Sequence, residues 1–406
     1  MQQYPTIRGI LAKTPYGRHA ILLDAFLTRS SLTFGGTGLA SAEYRAKCVL
    51  LSHEELDNPN REFQQIWFGL TYLPAWWPMA GLRTNIDDAG GGAMTWPSPE
   101  TWEANTDAGR LDFRTRWRCK AHAISGASVS PQCYVYVHLS QGQRIDRLRA
   151  DVVRPIQNLL TFLTDRPNGI WDLSFSDGSS PAFPADEPVG YSLVYAPTPF
   201  VAPPDDLLLP DDVLVVTKDI EDFQSLIRNW LRFEVEHRSF NGYFFAVMEQ
   251  PDPLIEHRLL TSIHLAGLYY LNSTRIGELD RICTAIRQAL DASRLGDSAV
   301  GAVEAAAVKV AAWQWLTGLM EDAPDVVEAV VGPHASQFFD RVRQISAILG
   351  LGSDRRGRVD NAELYWTNEK LIGLLKAAML GELGFGRSLQ LRMLRRNRRI
   401  RVASEK

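Results

Sequence analysis

Arg355, Arg356 and Arg358 crowd the stretch SDRRGRVDNAELY, and Asp360 and Asn361 follow them directly. Three guanidiniums within four residues, beside a helix start whose free amides and dipole favour negative charge, have the chemistry of a phosphate-binding turn. A solvated turn accounts for them equally well. Asp360 and Asn361 are residue types that cap helices, and asparagine has no group that can carry a proton back and forth near neutral pH. A second basic set closes the chain in RSLQLRMLRRNRRIRVASEK, with Arg395, Arg396, Arg398 and Arg399 at its centre. From Arg387 onward, seven arginines and one lysine stand against Glu405, a local charge of +7 that leaves −11 on the rest of a chain whose net charge is −4. An acidic body with a basic end fits an anionic partner held by its phosphates. Leu389, Met393 and Ile400 interleave with these arginines, as in a helix that docks on the body or on RNA; a disordered basic end fits as well. The segment contains no aromatic residue, so base stacking is not indicated there.

Other chemistries find less support. Cys48, Cys119, Cys133 and Cys283 are scattered, form no CxxC pair and read as buried thiols in a reducing compartment. The eight histidines include no HExxH or HxH, so no metal site and no cofactor is expected. Neither GxxxxGKS nor GxGxxG occurs, and Gly35, Gly36, Gly38 and Gly90 to Gly92 read as loop glycines. With no apolar run of about 18 residues and no signal-peptide layout, the chain is expected to be cytoplasmic and away from membranes. Trp67, Trp76, Trp77, Trp96 and Trp102 are concentrated in the first half, as core or lid, or as a binding face for a sugar, a base or a polypeptide.

The elements that must position these groups change type midway. Up to about residue 205 the segments IRGILA, RHAILLDAFL, KCVLLS, QIWFGLTYL, GRLDFRTRWRC and CYVYVHLS are rich in β-branched and aromatic residues, separated by Gly, Pro, Asn and Asp. Arg144 to Leu163 has helical spacing instead, with Pro155 expected to bend or split it. Pro197, Pro199, Pro203, Pro204 and Pro210 mark a linker near Ala196 to Asp211. Helical patterns follow at 220–236, 256–272, 276–292, 299–320 and 326–349 and end in the strongest helix, which Asp360 and Glu363 should open as a capping box and Gly384 should stop. The expected class is α+β: an antiparallel β sandwich or barrel-like domain over 1–205, an all-α bundle over 212–386 and a basic tail over 387–406.

IRGILAKTPYGRHAILLDAF, KCVLLSHEEL and FQQIWFGLTYLPAWW together resemble the N-terminal β domain of ApeA-like anti-phage proteins. Trp230, Leu231 and Phe233, the helix from Glu256 to Tyr270 and ELYWTNEKLIGLLKAAMLGELGF resemble the HEPN bundle attached to it in that family. The resemblance implies antiviral defence of the abortive-infection kind: a cytoplasmic, metal-independent ribonuclease that acts on RNA, tRNA included, as a homodimer or higher homo-oligomer, with the β domain sensing a phage-derived trigger. HEPN nucleases use an arginine and a histidine four to six residues apart, which can activate the 2′-hydroxyl and stabilise charge at phosphorus. Here the motif departs: Arg356 takes the arginine place but Asn361 stands at the histidine place, and a register that sets Arg343 there leaves Ile348 opposite. Arg116 with His122, Arg232 with His237 and Arg258 with His264 meet the bare spacing, as chance alone would supply. Arg232 and His237 read as a salt-bridged surface among Glu234 and Glu236, and His264 as a core histidine. Two alternatives stay open: an inactive HEPN scaffold that holds a protein or nucleic-acid partner, and a carbohydrate- or peptide-binding β domain with an oligomerising bundle.

Overall fold

Side chains of a strand alternate between two faces, so a period of two in the sequence decides what each face of a sheet carries. The computed structural model describes residues 6–32, 40–52, 55, 58–77, 83–86, 92–95, 101–122, 126–178, 191–195, 208–249, 254–273, 297–350 and 359–406. Its strands are β1 (Ile7–Lys13), β2 (His19–Leu32), β3 (Ala40–Arg45), β4 (Cys48–Ser52), β5 (Glu62–Leu70), β6 (Arg83–Ile86), β7 (Gly92–Thr95), β8 (Thr101–Thr106), β9 (Gly109–His122), β10 (Gly126–Arg144), β11 (Ile170–Ser176) and β12 (Tyr191–Tyr195). Ten of them form one sheet in the order β1-β2-β4-β12-β11-β5-β10-β9-β8, with β3 on β2, while β6 and β7 pair separately. The pairings are antiparallel, as the turn-rich sequence led one to expect.

One face of this sheet is apolar. Leu111 and Phe113 of β9 lie opposite Val137 and Val135 of β10, which face Ile66 and Phe68 of β5, which in turn face Phe175 and Leu173 of β11. All eight are buried. The short helix α1 (Leu73–Trp76) packs against β5 and β10. Trp77, just after it, brings its ring to 5.6 Å from Phe113 and 4.8 Å from Trp102. Trp67, Trp76 and Trp77 are therefore core residues, and Trp96 lies outside the described residues. Cys48 and Cys133 are buried free thiols, and burial pushes Cys133 up to about 11.

The helical stretch around Pro155 is split, and the reason is local. Helix α2 (Ile145–Leu148) passes through a widened turn, Arg149–Val153, into α3 (Arg154–Thr164). Pro155 has no N–H to donate backward and its ring crowds the preceding turn, so the ladder shifts there.

The chain divides into two units, residues 1–160 with 168–207 and residues 161–167 with 208–406. The second is helical: α4 (Phe223–Glu236), α5 (Arg238–Glu249), α6 (Ile255–Ser273), α7 (Asp297–Asp322), α8 (Pro324–Val331), α9 (Ala335–Gly350), α10 (Asn361–Glu382), α11 (Arg387–Arg396) and α12 (Arg398–Glu405). The helix expected over 276–292 falls outside the described residues. Helix α10 touches α4, α6, α8, α11 and α12. Contact on so many sides explains why it is buried almost all round and not on one stripe. Gly384, at φ 89°, stops it in the left-handed region that a side chain disfavours. No helix among the described residues is long and apolar enough to cross a membrane.

Candidate functional site

The start of α10 is fixed by its own cap. The carboxylate of Asp360 accepts from the Ala362 N–H at 3.3 Å, and Val359 before it is buried. Glu363 does not close the expected reciprocal cap. It binds Arg341 of α9 through both carboxylate oxygens, with Arg341 Nη2 2.8 Å from Oε2. That hydrogen bond holds the Glu363 carboxyl below the usual carboxylate range and raises Arg341. Asn361 is exposed beside it. Arg343 stands two residues beyond Arg341, roughly 200° round the helix, and its guanidinium lies over the Trp313 ring of α7, 5.6 Å from the centroid. It is thus Arg341, and not Arg343, that the fold ties to the start of α10. Arg355, Arg356 and Arg358 lie outside the described residues.

The basic end is folded as two helices. Asn397 separates them, and its side-chain oxygen accepts from the Ile400 N–H at 3.1 Å to cap α12. Arg396 reaches the buried Asp219 at 2.7 Å and the Leu214 carbonyl at 3.3 Å; Arg392 approaches the same carboxylate at 3.4 Å. Arg399 forms a two-point contact with Glu369, its Nη2 2.9 Å from Oε1. Although burial opposes its charge, that contact lifts Arg399 above the ordinary arginine range. Of the four tail arginines singled out by sequence, Arg395 and Arg398 are exposed, while Arg396 and Arg399 hold internal carboxylates.

Sequence reasoning missed the polar cluster inside the helical unit. Lys376 and Asp165, each with a side chain 2 % exposed, form an ion pair. Asn397 Nδ2 donates to the second oxygen of Asp165 at 3.4 Å. About two turns earlier on α10, Ser262 Oγ donates to Asn368 Oδ1 at 2.7 Å, and Asn368 Nδ2 donates to Glu369 at 3.4 Å. Burial pulls Lys376 below the ordinary lysine range against the opposing pull of Asp165. Closed to solvent, this cluster holds the last three helices and the 161–167 segment in register; it cannot meet a polymer.

His237 corrects a second expectation. It ends α4 at 3 % exposure, with its ring 4.4 Å from Phe233 and 5.3 Å from Tyr269, stacked on both. The Phe and Tyr rings exclude the salt-bridged surface expected among Glu234 and Glu236, and Arg232, exposed, points to Asn229 at 3.4 Å instead. Burial lowers His237, with Glu382 and Glu236 opposing. The sign follows. The unfolded chain takes this proton near pH 6.5 while the folded ring resists, so stability present above about pH 6.5 is lost as pH falls toward the folded value. The unfolding free energy from urea titrations should drop between pH 7.5 and 5, by at most about 1.4 kcal/mol per pH unit for this one proton, and His237→Phe should flatten the drop. An unchanged slope in that variant would refute the assignment. His264 is half-buried, its ring edge-on to Tyr243 at 6.1 Å; the side chains of Arg116 and His122 lie outside the described residues.

Among the described residues no group of three or more His, Cys, Asp or Glu is arranged to hold a metal ion. Over residues 2–230 the chain matches the family model described as ApeA N-terminal domain 1. No curated protein and no solved structure matches it.

Proposed function

The chain belongs to the ApeA N-terminal domain 1 family, which places it among anti-phage defence proteins, and from that premise we propose that its helical unit binds RNA under the control of the β unit. What carries this reading is the sequence before α10: Arg355, Arg356 and Arg358 come directly before a helix start anchored by Asp360 and by the Arg341–Glu363 contact. Guanidiniums close in sequence to a helix start attract phosphate without reading sequence. Arg395 and Arg398 add exposed positive charge on the closing helices. By its resemblance to HEPN bundles the unit works as a homodimer, and the β unit answers a phage-derived trigger.

Cleavage is the second reading, favoured by the resemblance of ELYWTNEKLIGLLKAAMLGELGF to HEPN bundles. Binding ranks above it because Asn361 cannot act as a general base and His237, stacked between two rings, cannot reach a strand. Incubation with tRNA in EDTA separates the two. The expected result is salt-sensitive binding without cutting. Changing Arg355, Arg356 and Arg358 together to alanine should reduce the slope of log affinity against log salt by about 2, at roughly 0.7 per lost phosphate contact on a single strand. Cleavage that survives EDTA and disappears in this variant or in Arg343→Ala would establish the nuclease. No RNA binding at low salt would end both readings.

A further inference from the structure

The large sheet ends on β1, and that end is open. β1 pairs with β2 alone, and no strand runs along its other side among the described residues. The turn that joins the two strands decides which backbone groups face outward. Thr14 N donates to the Arg18 carbonyl at 2.8 Å, and the Thr14 carbonyl accepts from Gly17 N at 2.9 Å, with Gly17 at φ 83°. From there the register is unbroken, with Lys13 opposite His19, Ala12 opposite Ala20, Leu11 opposite Ile21 and Gly9 opposite Leu23. Hydrogen bonding alternates along an antiparallel pair, so Thr14, Ala12 and Ile10 direct their N–H and C=O groups at β2. Lys13, Leu11 and Gly9 turn theirs outward, as a template for one more strand.

The apolar face of the sheet runs out to the same edge. Leu11 lies opposite Ile21, which lies opposite Leu50, and Ile7 lies opposite Ala25. Ile21, Leu50 and Ala25 are buried, yet Ile7 and Leu11 are 40 % and 51 % exposed, and the side chains of an added strand would cover them. Charge decides which strand fits. No aspartate or glutamate occurs before Asp24. Arg8 and Lys13 on β1 and Arg18 after the turn make no ion pair among the described residues, and Asp24 is held by Lys47 at 3.8 Å. A second copy of β1 would bring these cations against their own kind, which is how charged edge strands resist self-association. An acidic strand is attracted by the same charges.

We propose that the open edge of β1 binds an extended acidic segment of another protein by strand addition. The backbone of that segment pairs with Lys13, Leu11 and Gly9, its apolar side chains cover Leu11 and Ile7, and its carboxylates answer Arg8 and Lys13. Such binding is independent of RNA at the helical unit.

Calorimetry on the full chain at low salt tests this with two end-blocked peptides of seven residues, the length of β1. One alternates valine with aspartate, the other valine with lysine. The aspartate peptide should bind more tightly by about tenfold or more, through opposite-charge pairs across the strands. Leu11→Pro removes an outward N–H and leaves the bonds between β1 and β2 in place, as edge strands tolerate. It should weaken the aspartate peptide about tenfold, with a melting temperature close to the parent's. Arg8→Glu combined with Lys13→Glu keeps the edge and should reverse the preference, so that the lysine peptide binds more tightly. Equal binding of the two peptides, binding indifferent to both variants, or no binding of either overturns the proposal. So does light scattering that shows an oligomer of the free chain which Leu11→Pro splits, since a second copy would then cover β1. The variant lacking Arg355, Arg356 and Arg358 should bind the aspartate peptide as the parent does, so failure of the RNA reading leaves this one standing.

Discussion

Replacing Lys376 with alanine should destabilise the protein by about 3–5 kcal/mol, because Asp165 is left charged and uncompensated where water cannot reach it. The pair is fully enclosed, and Asn397 alone cannot neutralise the carboxylate. The double variant Lys376→Met with Asp165→Asn tests the cause. Removing both charges avoids the uncompensated group, and asparagine tolerates the left-handed backbone at position 165, where φ is 54°. Urea denaturation followed by circular dichroism should show the double variant recovering more than half of the loss. If Lys376→Ala unfolds within about 1 kcal/mol of the parent, a margin typical of surface changes, the ion pair is not the fixed feature described.

Trp230→Ala carries the second large effect, again about 3–5 kcal/mol, since the loss of a fully buried tryptophan adds a cavity to the lost transfer energy. Trp230 has no exposed surface, stacks on Phe162 at 6.0 Å and meets Phe233 and Phe245 at 5.8 and 6.0 Å. Trp230→Phe, which keeps much of the volume, should lose less than half as much in the same measurement. Equal losses in the two variants would mean that volume is not what matters at this position.

Much of the architecture was legible because it is local. Alternation in GRLDFRTRW and CYVYVHL gives strands, and the step from Leu364 through Asn368, Leu371, Ile372 and Leu375 gives α10 with Asp360 as its cap. The site was less legible. Lys376 and Glu369 were not singled out, because nothing within a few residues reveals that Asp165 lies 211 positions back or Arg399 30 positions on. His237 read as surface from its glutamate neighbours, yet it ends α4 where the chain turns inward, and only the later arrival of Tyr269 encloses it. Trp171 sits in a bulge, where Ile170 pairs with Leu70 and Asp172 with Gly69, a departure from the very periodicity by which strands are recognised. The tail arginines were read by charge alone, and charge does not say which carboxylate lies within reach.

Because Arg396 answers Asp219 and Arg399 answers Glu369, the closing helices supply counter-charges that earlier helices lack without them. A nascent chain emerging from the ribosome at about 5–20 residues per second must therefore carry a half-built bundle, with a carboxylate still waiting, until α12 has been made. Truncation just before Arg399 should yield a polypeptide that cellular proteases clear, although every helix before α12 has been synthesised in full.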